Sequence, residues 1–200
     1  GFNPGAKLTG LCTEDERIWG STEWGFGHQG PMFQAKGIKA FKVDLEKDDL
    51  PFENNFFDLV ICNQVFEHLK QIYRPISEIH RALKPEGIFI FSVPNLASLH
   101  NRILLALGEQ PTSIRIFGPH VRGFTYKAIK RFLTYNDLFK IIRVIGIGFY
   151  PFPMKFGGSL FGRMLVSMSH TCLFVLKKER QGKVNWQQRV INMQFQTDYV

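Results

Sequence analysis

"FDLVICNQVFEHL", residues 57–69, joins two patterns end to end. Apart from Asp58, its first seven residues are apolar up to Asn63, as in a short strand covered on both faces. The residues after Asn63 open a new element that begins polar and carries Glu67 and His68. In open α/β sheets, ligands collect where strands end in this way. Whether the flanking sequence alternates strand with helix therefore decides the fold.

It does so in both directions. "AKLTGLC" (6–12) and "KAFKVDL" (39–45) read as strands upstream, and "GIFIFSVP" (87–94) as a second continuously apolar strand downstream. With 57–63, this last strand is expected in the middle of the sheet. Between the two, "QIYRPISEIHRALKPEG" (71–87) sets Ile72, Ile76, Ile79, Ala82 and Leu83 near one helical face and stops at Pro85 and Gly87. "TYKAIKRFLTYN" (125–136) reads as a helix with Thr125 as N-cap, and "KIIRVIGIGFY" (140–150) and "TCLFVLKK" (171–178) complete the strands. The fold class is α/β, with crossover helices around one sheet. Residues 1–179 read as one domain and 180–200 as a peripheral tail.

The longer stretch "VDLEKDDLPFENNFFDLVICNQVFEHL" (43–69) resembles the class I S-adenosylmethionine-dependent methyltransferases: an acidic residue ends one strand, a loop reaches "LPF", and "FDLV" opens the next strand. The resemblance continues through "EIHRALKPEGIFIFSVPN" (78–95) and "HVRGFTYKAIKRFL" (120–133), and ends near Lys178. It implies a Rossmann-like sheet of family order 3-2-1-4-5-7-6, with S-adenosylmethionine as cofactor and S-adenosylhomocysteine as product. By position in the family pattern, Asp44 would accept from the adenine amine, with the backbone of Leu45 beside it. Asn63, Gln64 and Val65 would floor the adenosine and methionine moieties. For Asp44 a surface or capping carboxylate is the alternative, and for Asn63 an ordinary turn residue.

At the amino end the chain departs from the family. "GFNPG" resembles the family's glycine-rich loop, with Gly1, Asn3 and Gly5 in matching places, yet "AKLTGLC" follows directly, without the helix that should intervene. The strand that should precede Gly1 is also missing. Omitted residues, a substitute segment or subunit, or a degenerate relative would each account for this, and omission is the favoured expectation because βαβ crossovers need about ten residues or more. Where the family carries an acidic residue at the second strand's end, this chain has Cys12, so Glu14 is the candidate for the ribose hydroxyls. "GFGHQG" (25–30) spells a dinucleotide fingerprint, but no strand feeds it and Gly37 follows too soon, so it reads as an irregular connection.

The cofactor would supply the reactivity, leaving the protein to position the acceptor. His120 in "FGPHVRGFT" is the candidate general base, with a helix-entry hydrogen bond as the alternative, and Arg122 is the candidate to hold an acceptor carboxylate or phosphate. Glu67 and His68 read as structural rather than as an acid–base pair, and His80 as a surface or packing residue. Segment 96–124 is a candidate acceptor pocket. "PFPMKFGGSLFGRMLVSMSH" (151–170) is a candidate lid or membrane-touching surface.

Two hundred residues with 44% hydrophobic content suit one core, and the formal charge of +8 favours anionic partners. The basic residues form no tight run, so nucleic acid is disfavoured against a small-molecule or glycan/lipid-precursor acceptor. Cys12, Cys62 and Cys172 have neither disulfide nor metal-ligand spacing, so no metal is expected and a reducing, cytoplasmic setting is. No apolar run approaches the roughly 20 residues of a membrane span. A non-catalytic methyltransferase-like scaffold and a nucleic-acid methyltransferase stay open as rival functions, and oligomeric state is not legible.

Overall fold

The structure is a computed structural model that describes residues 9–12, 39–150 and 164–179. The chain divides into two compact units, Gly1–Pro51 and Phe52–Val200. In the first unit, strands β1 (Thr9–Cys12) and β2 (Lys39–Lys42) pair in parallel, with Thr9 opposite Lys39 and Cys12 opposite Lys42. After β2 the chain turns tightly, the Asp44 carbonyl accepting from the backbone N–H groups of Lys47 and Asp48.

The second unit is built on a four-stranded sheet. β3 (Phe57–Asn63) leads through a 3-10 turn (Phe66–His68) to helix α1 (Tyr73–Ala82) and strand β4 (Leu83–Pro94). Helix α2 (Leu99–Ala106), helix α3 (Tyr126–Leu133), β5 (Phe139–Ile147) and β6 (Thr171–Lys178) follow. The strand order is β3-β4-β6-β5, with β3 parallel to β4 and β6 antiparallel to both neighbours. In family terms β1 to β6 are strands two to seven. The expected order without its first strand reads 3-2 and 4-5-7-6, which are the two orders observed.

The core lies on one face of this sheet. Register places Val60, Phe89 and Leu176 side by side, and likewise Cys62, Phe91 and Phe174. Phe91 meets Phe66 edge-on at 5.0 Å, and Phe89 meets Phe139 at 5.3 Å. Helix α1 buries Ile76, Ile79 and Ala82, and its His80 packs edge-on against Phe139, as expected of a packing residue. Helix α3 buries Ile129 and Leu133 and begins as its sequence predicts, the Thr125 hydroxyl accepting from the Ala128 N–H at 3.2 Å. β6 alternates buried with half-buried residues; its last, Lys178, donates to the Leu83 carbonyl (2.6 Å) and Asn55 (3.0 Å), and burial lowers its pKa.

Two expectations need correction. The apolar strand β3 is not interior: among the described residues it pairs only with β4, and Leu59 and Ile61, on the face opposite the phenylalanines, are 47% and 62% exposed. Continuous hydrophobicity marks a strand built for two neighbours, and the described chain supplies one. Helix α1 stops just before Pro85, as its sequence predicts, but β4 starts at Leu83 and not at Gly87. Pro85 holds Lys84 out of helical geometry, so Leu83 turns extended and β4 starts there.

Candidate functional site

The carboxyl end of β3 is the sharpest feature of the second unit. Gln64 adopts φ 55°, a left-handed conformation uncommon for a residue with a side chain, and the chain reverses into the 3-10 turn. The turn is held by its own packing. Phe66 is locked against Phe91, and the Gln64 N–H donates to the Ser92 carbonyl at 3.1 Å. The Ser92 hydroxyl donates to Asn63 Oδ1, while Gln64 Nε2 reaches Ser92 Oγ at 3.4 Å. Of the three residues expected to floor the cofactor, Asn63 is exposed and Gln64 and Val65 half-buried at this turn.

The end of β4 organises the opposite wall. Asn95 is buried and donates to the carbonyls of Ser167 (3.0 Å) and Ser169 (2.9 Å), and its backbone bridges to Phe124. Its carbonyl accepts from Asn101, whose Oδ1 takes the Thr112 N–H and hydroxyl, both at 3.0 Å. These bonds fold segment 107–124 back onto the strand ends. There the Glu67 carbonyl accepts from the N–H groups of Val121 (2.9 Å) and Arg122 (3.2 Å).

That return loop brings His120 to Glu67 and His68. The two imidazoles meet edge-on at 4.8 Å, and one ligand atom from each of the three residues lies within 4.8 Å of the others. Glu67 is 1% exposed and neither carboxylate oxygen has a hydrogen-bond partner. Burial raises its pKa to about 7. Burial, and then the neighbouring His120, lower that of His68. His120 Nδ1 bonds the Ser113 carbonyl at 2.8 Å, within the loop and not at a helix entry. Sequence reasoning kept Glu67 and His68 apart from His120 because 51 residues separate His68 from His120 and only the loop hydrogen bonds join them.

Arg122 serves the same loop. Its Nη2 donates to the Lys70 carbonyl at 2.7 Å, and its buried Nε has no partner. The guanidinium is thereby tied to backbone, not held out toward an anionic acceptor. Ser92, Asn95 and Asn101 are polar residues that the sequence reading passed over. Their signal was a buried-strand pattern that turns polar at its end.

In the first unit, Asp44 closes its own turn. Oδ1 accepts the Glu46 N–H at 2.9 Å, and Oδ2 pairs with Lys47 at 2.9 Å, so the Lys47 bond leads in lowering the Asp44 pKa. Leu45 is half-buried in this turn. Lys47 is 80% exposed, and an exposed ion pair is worth about 1 kcal/mol or less, so a ligand amine can displace it cheaply. Gly1, Asn3, Gly5, Glu14 and "GFGHQG" lie outside the described residues, as do the 180–200 tail and most of the candidate lid.

Cys62 and Cys172 have no reactive setting: burial raises the thiol pKa of Cys62 well above its usual value and that of Cys172 to about 11. Among the described residues no helix is long and apolar enough to cross a membrane.

Residues 26–91 match the methyltransferase domain family. Over 91 residues the chain is 33% identical to the mitochondrial arginine-hydroxylase NDUFAF5 of Homo sapiens, covering 44% of this chain and 26% of that protein. Over 67 residues it is 34% identical to the ubiquinone/menaquinone biosynthesis C-methyltransferase UbiE of Coxiella burnetii, covering 32% and 26%. The chain spans about a quarter of the length of these curated relatives. Among solved structures, an S-adenosylmethionine-dependent methyltransferase of Thermotoga maritima, described as a possible histamine N-methyltransferase, superposes with TM-score 0.58 at 15% identity, over 89% of this chain and 84% of that one. The matched segment contains the β3 turn and most of β4. The fold is thus that of S-adenosylmethionine-dependent methyltransferases, and the sequence likeness to the methyltransferase domain family lies in the central segment 26–91.

Proposed function

We propose that this protein transfers a methyl group from S-adenosylmethionine to an oxygen or nitrogen of a small-molecule or glycan/lipid-precursor acceptor. The observation that carries the reading is the β3 turn, where a left-handed Gln64 opens the carboxyl end of a parallel strand inside the matched segment. When bound, the cofactor supplies a sulfonium methyl that the acceptor takes while the C–S electron pair stays on sulfur. Asn63, Gln64 and Val65 line its floor. Asp44 and the Leu45 backbone receive the adenine, and Gly1, Asn3, Gly5 and Glu14 receive the methionine and ribose ends. His120 is the candidate to take a proton from an acceptor hydroxyl, and Arg122 supports the loop that carries it. Cysteine usage favours the cytoplasm, which fractionation with a tagged chain would check.

The rival reading, a scaffold without cofactor affinity, draws on one observation: both Asp44 oxygens are engaged within their own turn. Calorimetric titration with S-adenosylhomocysteine separates the two. Loss of one hydrogen bond is worth about 1 kcal/mol, so Asp44→Ala should weaken binding roughly five- to tenfold while leaving the fold intact. Unchanged affinity removes Asp44 from the site. A nucleic-acid acceptor would show itself as RNA or DNA affinity that falls steeply with salt.

A further inference from the structure

We propose that Glu67, His68 and His120 form a binding site for one divalent first-row transition-metal ion. The site lies immediately after the β3 turn, so the inference bears on the methyl-transfer reading, with His120 holding the ion in place of acting as a base, although metal binding itself does not depend on that reading being right.

The donor set comes first. Two imidazoles and one carboxylate are borderline nitrogen and hard oxygen ligands, a combination that suits zinc, iron, cobalt or manganese. Three protein ligands leave positions for water or for an acceptor oxygen.

Glu67 supplies the independent observation. A carboxyl group that is 1% exposed, with both oxygens lacking hydrogen-bond partners, is a costly arrangement with no structural return in the described fold. A cation beside it removes that cost. Its backbone carbonyl, not its side chain, receives the returning loop.

The histidines are oriented for ligation. A backbone carbonyl can only accept, so His120 Nδ1, 2.8 Å from the Ser113 carbonyl, carries the proton and Nε2 keeps its lone pair. His68 Nδ1 faces the Pro119 carbonyl at 3.4 Å in the same sense. Metal-bound histidines are usually fixed by a carbonyl or carboxylate on the other ring nitrogen in this manner. The ligand atoms lie within 4.8 Å of one another, against the roughly 3.3 Å implied by tetrahedral bonds of about 2.0–2.1 Å. Closing that gap takes side-chain rotation in a loop already anchored at Val121 and Arg122.

The test uses the full chain, freed of metal by a chelator and then dialysed. Calorimetric titration with Zn2+ should give one site per chain, and Co2+ should develop the visible absorption of a low-symmetry nitrogen–oxygen site. Glu67→Gln and His120→Ala should each weaken Zn2+ binding at least tenfold and abolish the Co2+ band, whereas His100→Ala, in a different histidine pair, should change neither. Glu67→Gln removes a buried charge rather than packing, so it remains folded and keeps the test decisive. No stoichiometric binding to the folded wild-type chain, or binding that survives both cluster variants, overturns the proposal. Titration with S-adenosylhomocysteine in chelator separates the two readings. A cofactor signal without a metal signal leaves methyl transfer standing and sinks the metal site alone.

Discussion

Glu67 shows how little of a side chain's role its own neighbours in sequence reveal. At the start of a turn a glutamate reads as a partner for backbone N–H groups, yet the fold buries this one without any. In metal-free protein its pKa of about 7, against 4.5 when unfolded, has a definite sign. Below about pH 4.5 both states are protonated and nothing is lost; as pH rises toward 7 the unfolded chain ionises first, so stability falls. The loss saturates above pH 7 at about 3 kcal/mol. Chelator-treated Glu67→Gln should therefore be more stable than wild type at pH 8 and nearly equal to it at pH 4, by urea denaturation. Equal stabilities at pH 8 would show that the carboxylate has a partner after all. At the same scale, Asp44 was legible as an acidic strand end, but its Lys47 pairing was not. Nor was the tethering of Arg122 to the Lys70 carbonyl, which depends on a loop returning from 52 residues away.

Among the elements, local chemistry was the most readable. Thr125 before an amphipathic run predicted an N-cap, and the Ala128 N–H bond is there. Thr125→Ala should cost about 1 kcal/mol in urea denaturation, and Thr125→Ser much less; an alanine variant as stable as wild type would mean α3 is held by Ile129 and Leu133 alone. The continuously apolar 87–94 became the buried centre of its sheet, and TCLFVLKK the alternating strand beside it. β3 was misplaced for a physical reason. Hydrophobicity reports what a strand is suited to touch, and whether a partner is present depends on chain elsewhere. The early start of β4 follows from Pro85, whose effect falls on the residue before it.

For the whole molecule, alternation of strands and helices was enough to identify the fold class. The site's composition was only half legible. Asn63, Gln64 and Val65 follow from position in the family pattern, whereas the meeting of Glu67 and His68 with His120 exists only once Asn95, Asn101 and Thr112 have folded the loop back. The central claim, that this chain keeps a cofactor site, is tested most directly by thermal unfolding with and without S-adenosylhomocysteine. At 100 times its dissociation constant, a ligand specific to the folded state adds about 2.7 kcal/mol. For a domain of this size that is roughly 5–10 °C in melting temperature. The account predicts such a rise, and an unchanged melting temperature in a cooperatively folded chain would contradict it.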